Sequence, residues 1–437
     1  MTKRFALAAS LVGVLALGAC AGGGTTTGGG GGTTAPGAGD RPSLLIWVDA
    51  VREPPANMFK DKVAGEIDVI VEIVAQEEMV PKIALANQTG GPWPDLVFAP
   101  PTDIAIWADP SNGWAMPLDG IIDPAVIDSY ETSNDWCLID GQYWCLKNDL
   151  AQTVLWYDTV LFEELGLNVP TTMEQWAAEA AKLEGTGYSA GAVGDQGFYA
   201  SFLWPSGCPM TSVDDNDPNT VRIDPDAPEC ARAVDLVQPL VDSGVLDRRS
   251  SFDASFISEV AQAGKLAMTF GPSWFGEFVI RPADSFNIPE GRMSAAPMPT
   301  WAGESTNWSG EWGGGIWAVS SKSAFPQEAV DAVVYLATSV EVAVEGVTFP
   351  GSRDAFEAWS AQIDADPYYA KSPVPAMIEQ ASKIRQTEKP TRFNALAQIG
   401  AVLQTEINGG SSMADATRAF QESLRNLAPQ SAYTVVP

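Results

Sequence analysis

Apolar residues change their spacing repeatedly along this chain, and that change of period most constrains its fold. Residues 44–48 form a short apolar run of strand length. Residues 67–74 form another, in which Ile67, Val69, Val71 and Ile73 alternate with mostly polar neighbours. Between them, Pro54-Pro55 opens a helical stretch through Phe59 and Val63. Two strands joined by a helix of that length make a right-handed βαβ unit with parallel strands. The alternation continues with a helix over 79–86 and a strand over 95–99. A hairpin over 136–145 leads into a strand over 153–157. Thr171 is the expected cap of the helix that follows, with Glu174 completing a capping box, Trp176, Ala180 and Leu183 on one face and Gly185 at its end. Further strands are expected at 266–270, 294–298 and 316–320, and helices at 327–337, 376–383, 396–407 and 414–427. The expected class is α/β, with helices on both faces of the sheets. No repeat of fixed period stands out, so a solenoid is not indicated.

Ahead of this pattern, Lys3 and Arg4 precede an apolar run over 5–17, and Leu17-Gly18-Ala19-Cys20 follows. That is the order of an export signal, and the run is too short to span a bilayer by itself. The segment resembles a bacterial lipoprotein signal. The resemblance implies that residues 1–19 are a signal peptide and that Cys20 carries a lipid. Residues 21–39 are almost wholly Gly, Thr, Ala and Pro, a composition that cannot bury apolar surface, so residues 20–40 read as an anchored, flexible tether. The expected location is extracytoplasmic, with the lipid as the sole membrane contact.

About 390 residues remain, enough for two domains. The 25 basic and 55 acidic side chains leave a formal charge of −30, which argues against nucleic acid or anionic lipid head groups as partners. Histidine is absent, which excludes an imidazole base, a Ser-His-Asp triad and a His-ligated metal. The run Gly187-Tyr188-Ser189-Ala190-Gly191 matches a nucleophile elbow, but without histidine it is a chance match. Four cysteines besides Cys20 in an exported chain predict two disulfides. A three-residue loop at Asp140-Gly141-Gln142 would place Cys137 directly opposite Cys145, which leaves Cys208 to pair with Cys230. Asp215, Asp217, Asn219 and Asp226 have calcium-loop spacing, but Thr220 replaces the turn glycine, so a solvated acidic loop is the better reading and no metal or other cofactor is expected.

Five stretches carry a family resemblance. The first joins Pro94-Asp95-Leu96-Val97-Phe98 to Pro117-Leu118-Asp119, and the second runs from Asp140-Gly141-Gln142-Tyr143-Trp144 to Leu155-Trp156-Tyr157-Asp158. The third is Leu161-Phe162-Glu163-Glu164-Leu165-Gly166-Leu167 with Pro170-Thr171-Thr172 and Trp176. The others are Gly264-Lys265-Leu266-Ala267-Met268 ending in Gly271-Pro272-Ser273-Trp274, and Glu311 through Ser320. In this order the chain resembles the family 1 extracellular solute-binding proteins of ABC importers, the group that includes maltose-binding proteins. The resemblance implies a two-lobed periplasmic-binding-protein-like fold of type II, each lobe a mixed sheet flanked by helices. Crossings are expected near 147–152, 296–300 and 346–351. Residues 41–148 with 300–347 would make one lobe, and 149–299 with 348–437 the other. The implied protein is a monomeric, non-enzymatic binding component that holds a carbohydrate between its lobes and delivers it to ABC permease subunits. Relatives carry an acid at the place of Ala151, so Asn148 and Asp149 become the candidates in the first crossing.

A sugar presents apolar C–H faces and a rim of hydroxyls, which indole rings and charged side chains match respectively. Several of the fifteen tryptophans fall where strands should end, the place where open α/β sheets bind ligands. The candidates are Trp47 with Asp49, Thr102 with Asp103, Trp204, and Trp308, Glu311 and Trp312 before a glycine run; Arg353 follows the third crossing. Family resemblance adds Trp274 as the ring that stacks on ligand. An extracellular glycoside hydrolase and a binder of a non-sugar solute are the alternatives, since acids beside tryptophans also suit glycosidases. Cys20→Ser is expected to release the protein from the membrane fraction into the medium, read by fractionation and immunoblotting; unchanged membrane association would rule out the anchor.

Overall fold

The computed structural model describes residues 41–346 and 348–437; the signal segment 1–19, Cys20 and the tether through residue 40 lie outside the described residues. In chain order the strands begin with β1 (Ser43–Val48), β2 (Asp68–Ile73) and β3 (Leu96–Ala99), then a hairpin of β4 (Leu138–Ile139) and β5 (Gln142–Tyr143). Next come β6 (Leu146–Leu150), β7 (Thr153–Asp158), β8 (Ser212–Val213), β9 (Thr220–Arg222), β10 (Met268–Pro272) and β11 (Met293–Ala296). The last are β12 (Gly315–Val319), β13 (Phe349–Pro350) and β14 (Thr434–Val436).

A six-stranded sheet has the order β13-β6-β12-β3-β1-β2. Here β1 is parallel to β2 and β3, whereas β12 runs antiparallel to β3 and β6, and β13 antiparallel to β6. Its strands β1, β3 and β12 are apolar on both faces. Leu44, Ile46, Val48, Phe98 and Trp317 pack on the side of helices Glu53–Lys62 and Pro326–Thr338. Trp47, Val97 and Ile316, one residue out of phase, pack on the side of helix Gln76–Thr89. Near-continuous apolar strands are what a sheet covered on both faces requires. Strand β2 closes the sheet as an edge, which leaves Ile70 and Ile73 exposed despite the alternation.

A three-stranded antiparallel sheet, β10-β7-β11, anchors a second core built on Trp156, Trp176, Phe202 and Phe270. Only Ala151 and Gln152 separate β6 in the first sheet from β7 in the second. The chain returns later: Thr300 bridges Thr172, Ser309 bridges Ile384, Glu311 bridges Gln152, and Gly315 then enters β12. It crosses again at β13, where Phe349 pairs with Leu150.

Two local expectations need correction. The β4–β5 loop has two residues, Asp140 and Gly141, both at positive φ, because Ile139 pairs with Gln142. An Asp-Gly pair with both residues left-handed matches strand twist better than the three-residue loop. Cys137 and Cys145 are therefore diagonal neighbours, yet their Cα atoms lie 5.1 Å apart and they form a disulfide, as do Cys208 and Cys230. Helix Met173–Ala181 is capped by Thr172, whose side chain accepts from Gln175 N, while Gln175 Oε1 accepts from Thr171 N. The box is thus shifted by one residue from Thr171 and Glu174. Thr172→Ala is expected to cost about 1 kcal/mol. Trp176→Ala, which empties a fully buried ring site, should cost about 3–5 kcal/mol. Chemical denaturation measures both, and equal losses would contradict this core assignment.

Candidate functional site

The carboxyl ends of β1, β2 and β3 open on one side of the first sheet, delivering Asp49, Gln76 and Pro100-Pro101-Thr102 respectively. Facing them are groups from the second sheet and its helices. The resulting cleft has two chambers, of about 290 and 100 Å³, which share Gln76, Gln196, Gly313 and Gly314 in their walls.

In the larger chamber, Arg52 holds the acids together. Its guanidinium lies 3.5 Å from Asp49 and 3.4 Å from Asp149, and 4.2 Å above the Phe98 ring. Gln76 Nε2 donates to Asp49 at 2.6 Å, and Asn148 Nδ2 donates to Asp149 at 3.0 Å. Opposite these polar groups stand Trp274, Trp312 and Phe278. Trp274 follows β10 directly, and Ser273 fixes that turn by donating Oγ–H to Leu150 O at 2.8 Å and N–H to Gln152 O at 3.0 Å. Trp274 Nε1 then donates to Trp312 O at 2.9 Å, and Trp312 N donates to Ala151 O at 2.9 Å. The two indoles meet edge to face at 5.9 Å.

Behind this wall lies a buried ion pair. Lys147 Nζ is 2.9 Å from the Glu311 carboxylate, which also accepts from Ala151 N at 3.1 Å. Gly313 and Gly314 follow at positive φ, and a Cβ on Gly314 would lie 3.0 Å from Glu311 Oε1. Backbone therefore reaches the cleft wall where side chains cannot fit.

The smaller chamber takes Thr102, Trp136, Tyr199, Trp204 and Glu311 into its walls. Two buried acids hold its loops. Asp195 accepts from Gly197 N at 2.8 Å and Ser251 N at 2.7 Å, which fixes the turn carrying Gln196. Burial raises its carboxyl, and these donors oppose the rise. Glu388 accepts from Thr211 N at 2.7 Å and from the Tyr199 hydroxyl at 3.4 Å; burial outweighs these bonds and pushes its carboxyl up to about 7.

Of the expected site residues, the structure brings Asp49, Asp149, Trp274 and Trp312 to the larger chamber, and Thr102, Trp204 and Glu311 to the smaller. Asn148 orients Asp149 from outside that wall and also accepts from Trp317 Nε1 at 2.8 Å. Trp47 does not join the cleft: β1 is covered on both faces, so this ring packs in the core, its Nε1 donating to Glu72 at 3.0 Å. Asp103 is buried beside Thr102 without lining a chamber. Trp308 carries the Arg385 guanidinium 5.1 Å over its ring. Arg353 begins helix Arg353–Asp364 and pairs with exposed Glu131 at 2.5 Å. In the acidic loop, Asp215 pairs with Lys389, Asp226 pairs with Arg418 at 2.9 Å, and Asp217 accepts from Thr220 Oγ1 at 2.7 Å. Protein partners thus occupy the carboxylates of the calcium-like spacing.

Arg52, Gln76, Gln196 and Phe278 were missed. The strand-end rule that selected Asp49 reaches Arg52, three residues on, and Gln76, three beyond β2. Gln196 and Phe278 carry no local signal, because tertiary contacts bring them to the cleft.

A sequence model of a family described as bacterial extracellular solute-binding protein matches residues 53–343. A search of curated protein sequences returns no match. Among solved structures, an ABC transporter associated binding protein from B. animalis subsp. lactis Bl-04, in complex with β-1,6-galactobiose, superposes with a TM-score of 0.72 at 19% identity, covering 91% of this chain and 100% of its own. The galacto-N-biose/lacto-N-biose I-binding protein of an ABC transporter from Bifidobacterium longum, in complex with lacto-N-biose, gives 0.75 at 16%, with the same coverages. The GacH receptor of Streptomyces glaucescens gives 0.68 at 21%, covering 90% of this chain and 100% of its own. These likenesses establish a shared two-lobed fold.

Burial pushes the Asp103 carboxyl from 3.8 up to about 7. The fold thus favours its protonated form: this stabilisation is complete below about pH 4 and is lost as pH rises through about 7. Asp103→Asn is expected to lessen the fall in stability between pH 4 and 7, leaving the part due to Glu388 and Asp195. Thermal unfolding across that range checks this, and parallel wild-type and variant curves would refute it.

Proposed function

We propose that this chain, which belongs to the bacterial extracellular solute-binding protein family, is the substrate-binding component of an ABC importer and that its solute is a mono- or oligosaccharide. One observation carries the choice of solute: a cleft in which the indole of Trp274, backed by the buried ring of Trp312, opposes a bonded array of Asp49, Arg52, Gln76 and Asp149, with Gln196 also in the wall. Indole faces match the C–H faces of a pyranose, while paired carboxylates and amides match its hydroxyl rim. The structural relatives in complex with β-1,6-galactobiose and lacto-N-biose support the same choice.

The two sheets are the cores of two lobes, with strand crossings at 151–152, over 310–314 and at β13 acting as hinges; the second falls later than the expected 296–300, because Thr300 and Ser309 still pair with Thr172 and Ile384. Closure of such lobes around a sugar gives permease subunits a shape distinct from the empty one. Cys20 anchors this monomer by lipid outside the cytoplasmic membrane, and the tether leaves the folded part free to turn. The chain binds without cleaving; incubation with glycans and an assay for new reducing ends separates this reading from a glycoside hydrolase.

Calorimetry against mono- and oligosaccharides tests the assignment. Trp274→Ala is expected to weaken the best ligand by roughly tenfold or more while the protein stays folded, as a lost stacking surface predicts. Unchanged affinity would remove Trp274 from the site, and absence of heat with every sugar would overturn the carbohydrate reading.

A further inference from the structure

Beside the cleft runs a larger groove, of about 520 Å³, whose character differs from a sugar site. Its walls are mainly aliphatic: Val51, Pro55 and Met58 at the start of helix Glu53–Lys62, Leu336 at the end of helix Pro326–Thr338, and Val342 from helix Val340–Glu345, with Asn148 and Ser339 among the polar side chains that complete them. The groove and the larger chamber share Val51, Arg52 and Thr348, so the two spaces adjoin across the arginine that orders the cleft carboxylates. Apolar surface also gathers at the chamber itself. Val51 is 37% exposed, Phe278 is 46% exposed, and Phe252, 47% exposed, stacks on Trp274 at 6.5 Å. A bare sugar offers C–H faces for indoles but nothing that fills an aliphatic groove, and this apolar surface stays wet around it.

We infer that the solute is a glycoside with an apolar aglycone, its sugar in the Trp274–Asp49 chamber and its aglycone in the Val51–Met58–Val342 groove. The inference rests on the carbohydrate reading of the cleft. Glu345 at the groove wall disfavours an anionic tail such as a fatty carboxylate. Arg52, pinned by Asp49 and Asp149, forms the polar divide between the two compartments. Each methylene moved from water into the groove strengthens binding.

The test is calorimetry on the full chain with matched methyl and octyl glycosides of glucose, galactose and maltose, below micellar concentrations. For a sugar that binds as its methyl glycoside, the octyl partner is expected to bind at least about tenfold tighter. Val342→Glu and Met58→Glu, on two different helices of the groove wall, should each abolish that gain; the methyl glycosides, too short to enter it, report the sugar site in the same variants. Equal affinities of methyl and octyl partners overturn the inference and leave the carbohydrate reading standing. A gain that survives both substitutions also overturns it, since the alkyl chain then lies elsewhere. No heat with any of the glycosides, nor with any sugar of the wider mono- and oligosaccharide panel, overturns the carbohydrate reading and this inference with it.

Discussion

The buried pair of Lys147 and Glu311 sits where the chain leaves the first sheet and where it later returns, and the architecture of the cleft depends on it. Removing two charges from water is costly, so such a pair persists only with close geometry and further hydrogen bonds. Here the Lys147–Glu311 separation is 2.9 Å, and the carboxylate also takes the Ala151 N–H. Either charge alone would be left uncompensated in the interior, which ties residues 147–151 to residues 311–315. Ser273 and Trp312 are then placed by bonds to the backbone of Leu150, Ala151 and Gln152, and Trp274 by its Nε1–H to Trp312 O. One ion pair thus lies behind the Trp274 indole at the cleft and the buried Trp312 indole that backs it.

Across the cleft, Arg52 does similar ordering with surface left for a ligand. Its guanidinium bridges Asp49 and Asp149 and rests on the Phe98 ring, while Gln76 and Asn148 occupy part of the carboxylate rim. Polar groups held in advance lose little entropy when a ligand arrives, so more of each hydrogen bond appears as affinity. Asp195 and Glu388 extend that rigidity into the second sheet's side, where they accept bonds from the backbone beside Gln196 and at Thr211. These acids serve loop geometry: both lie buried behind the residues they position.

A family relationship and a fold leave ligand chemistry open, because lobes of this kind can hold unlike solutes in sites built from different side chains. In this chain the cleft combines two indoles with two acids sharing one guanidinium, and a broad aliphatic groove adjoins it across Val51, Arg52 and Thr348. The two compartments differ in character, one lined by aromatic and paired polar groups and the other mainly aliphatic, and Arg52 stands where they adjoin.

Much of the fold could be read directly from residue spacing. The alternating strands and helices of 44–99 and the helix containing Trp176 follow from periodicity and turn chemistry, which act over a few residues. The strand-end rule reached Asp49 and Thr102 because the carboxyl ends of parallel strands share one side of a sheet. It failed at Trp47, since burial on both faces of β1 is set by the helix Gln76–Thr89 that covers it and not by β1 itself. Phe278 and Gln196 reach the cleft only through contacts between segments far apart in the chain, and Glu311 and Asp149, which pair with Lys147 and Arg52, lie 164 and 97 residues from them. Local pattern determined the elements and their order; the packing of one sheet against the other decided which side chains meet, because charge pairing and stacking depend on distance in space and not on separation in sequence.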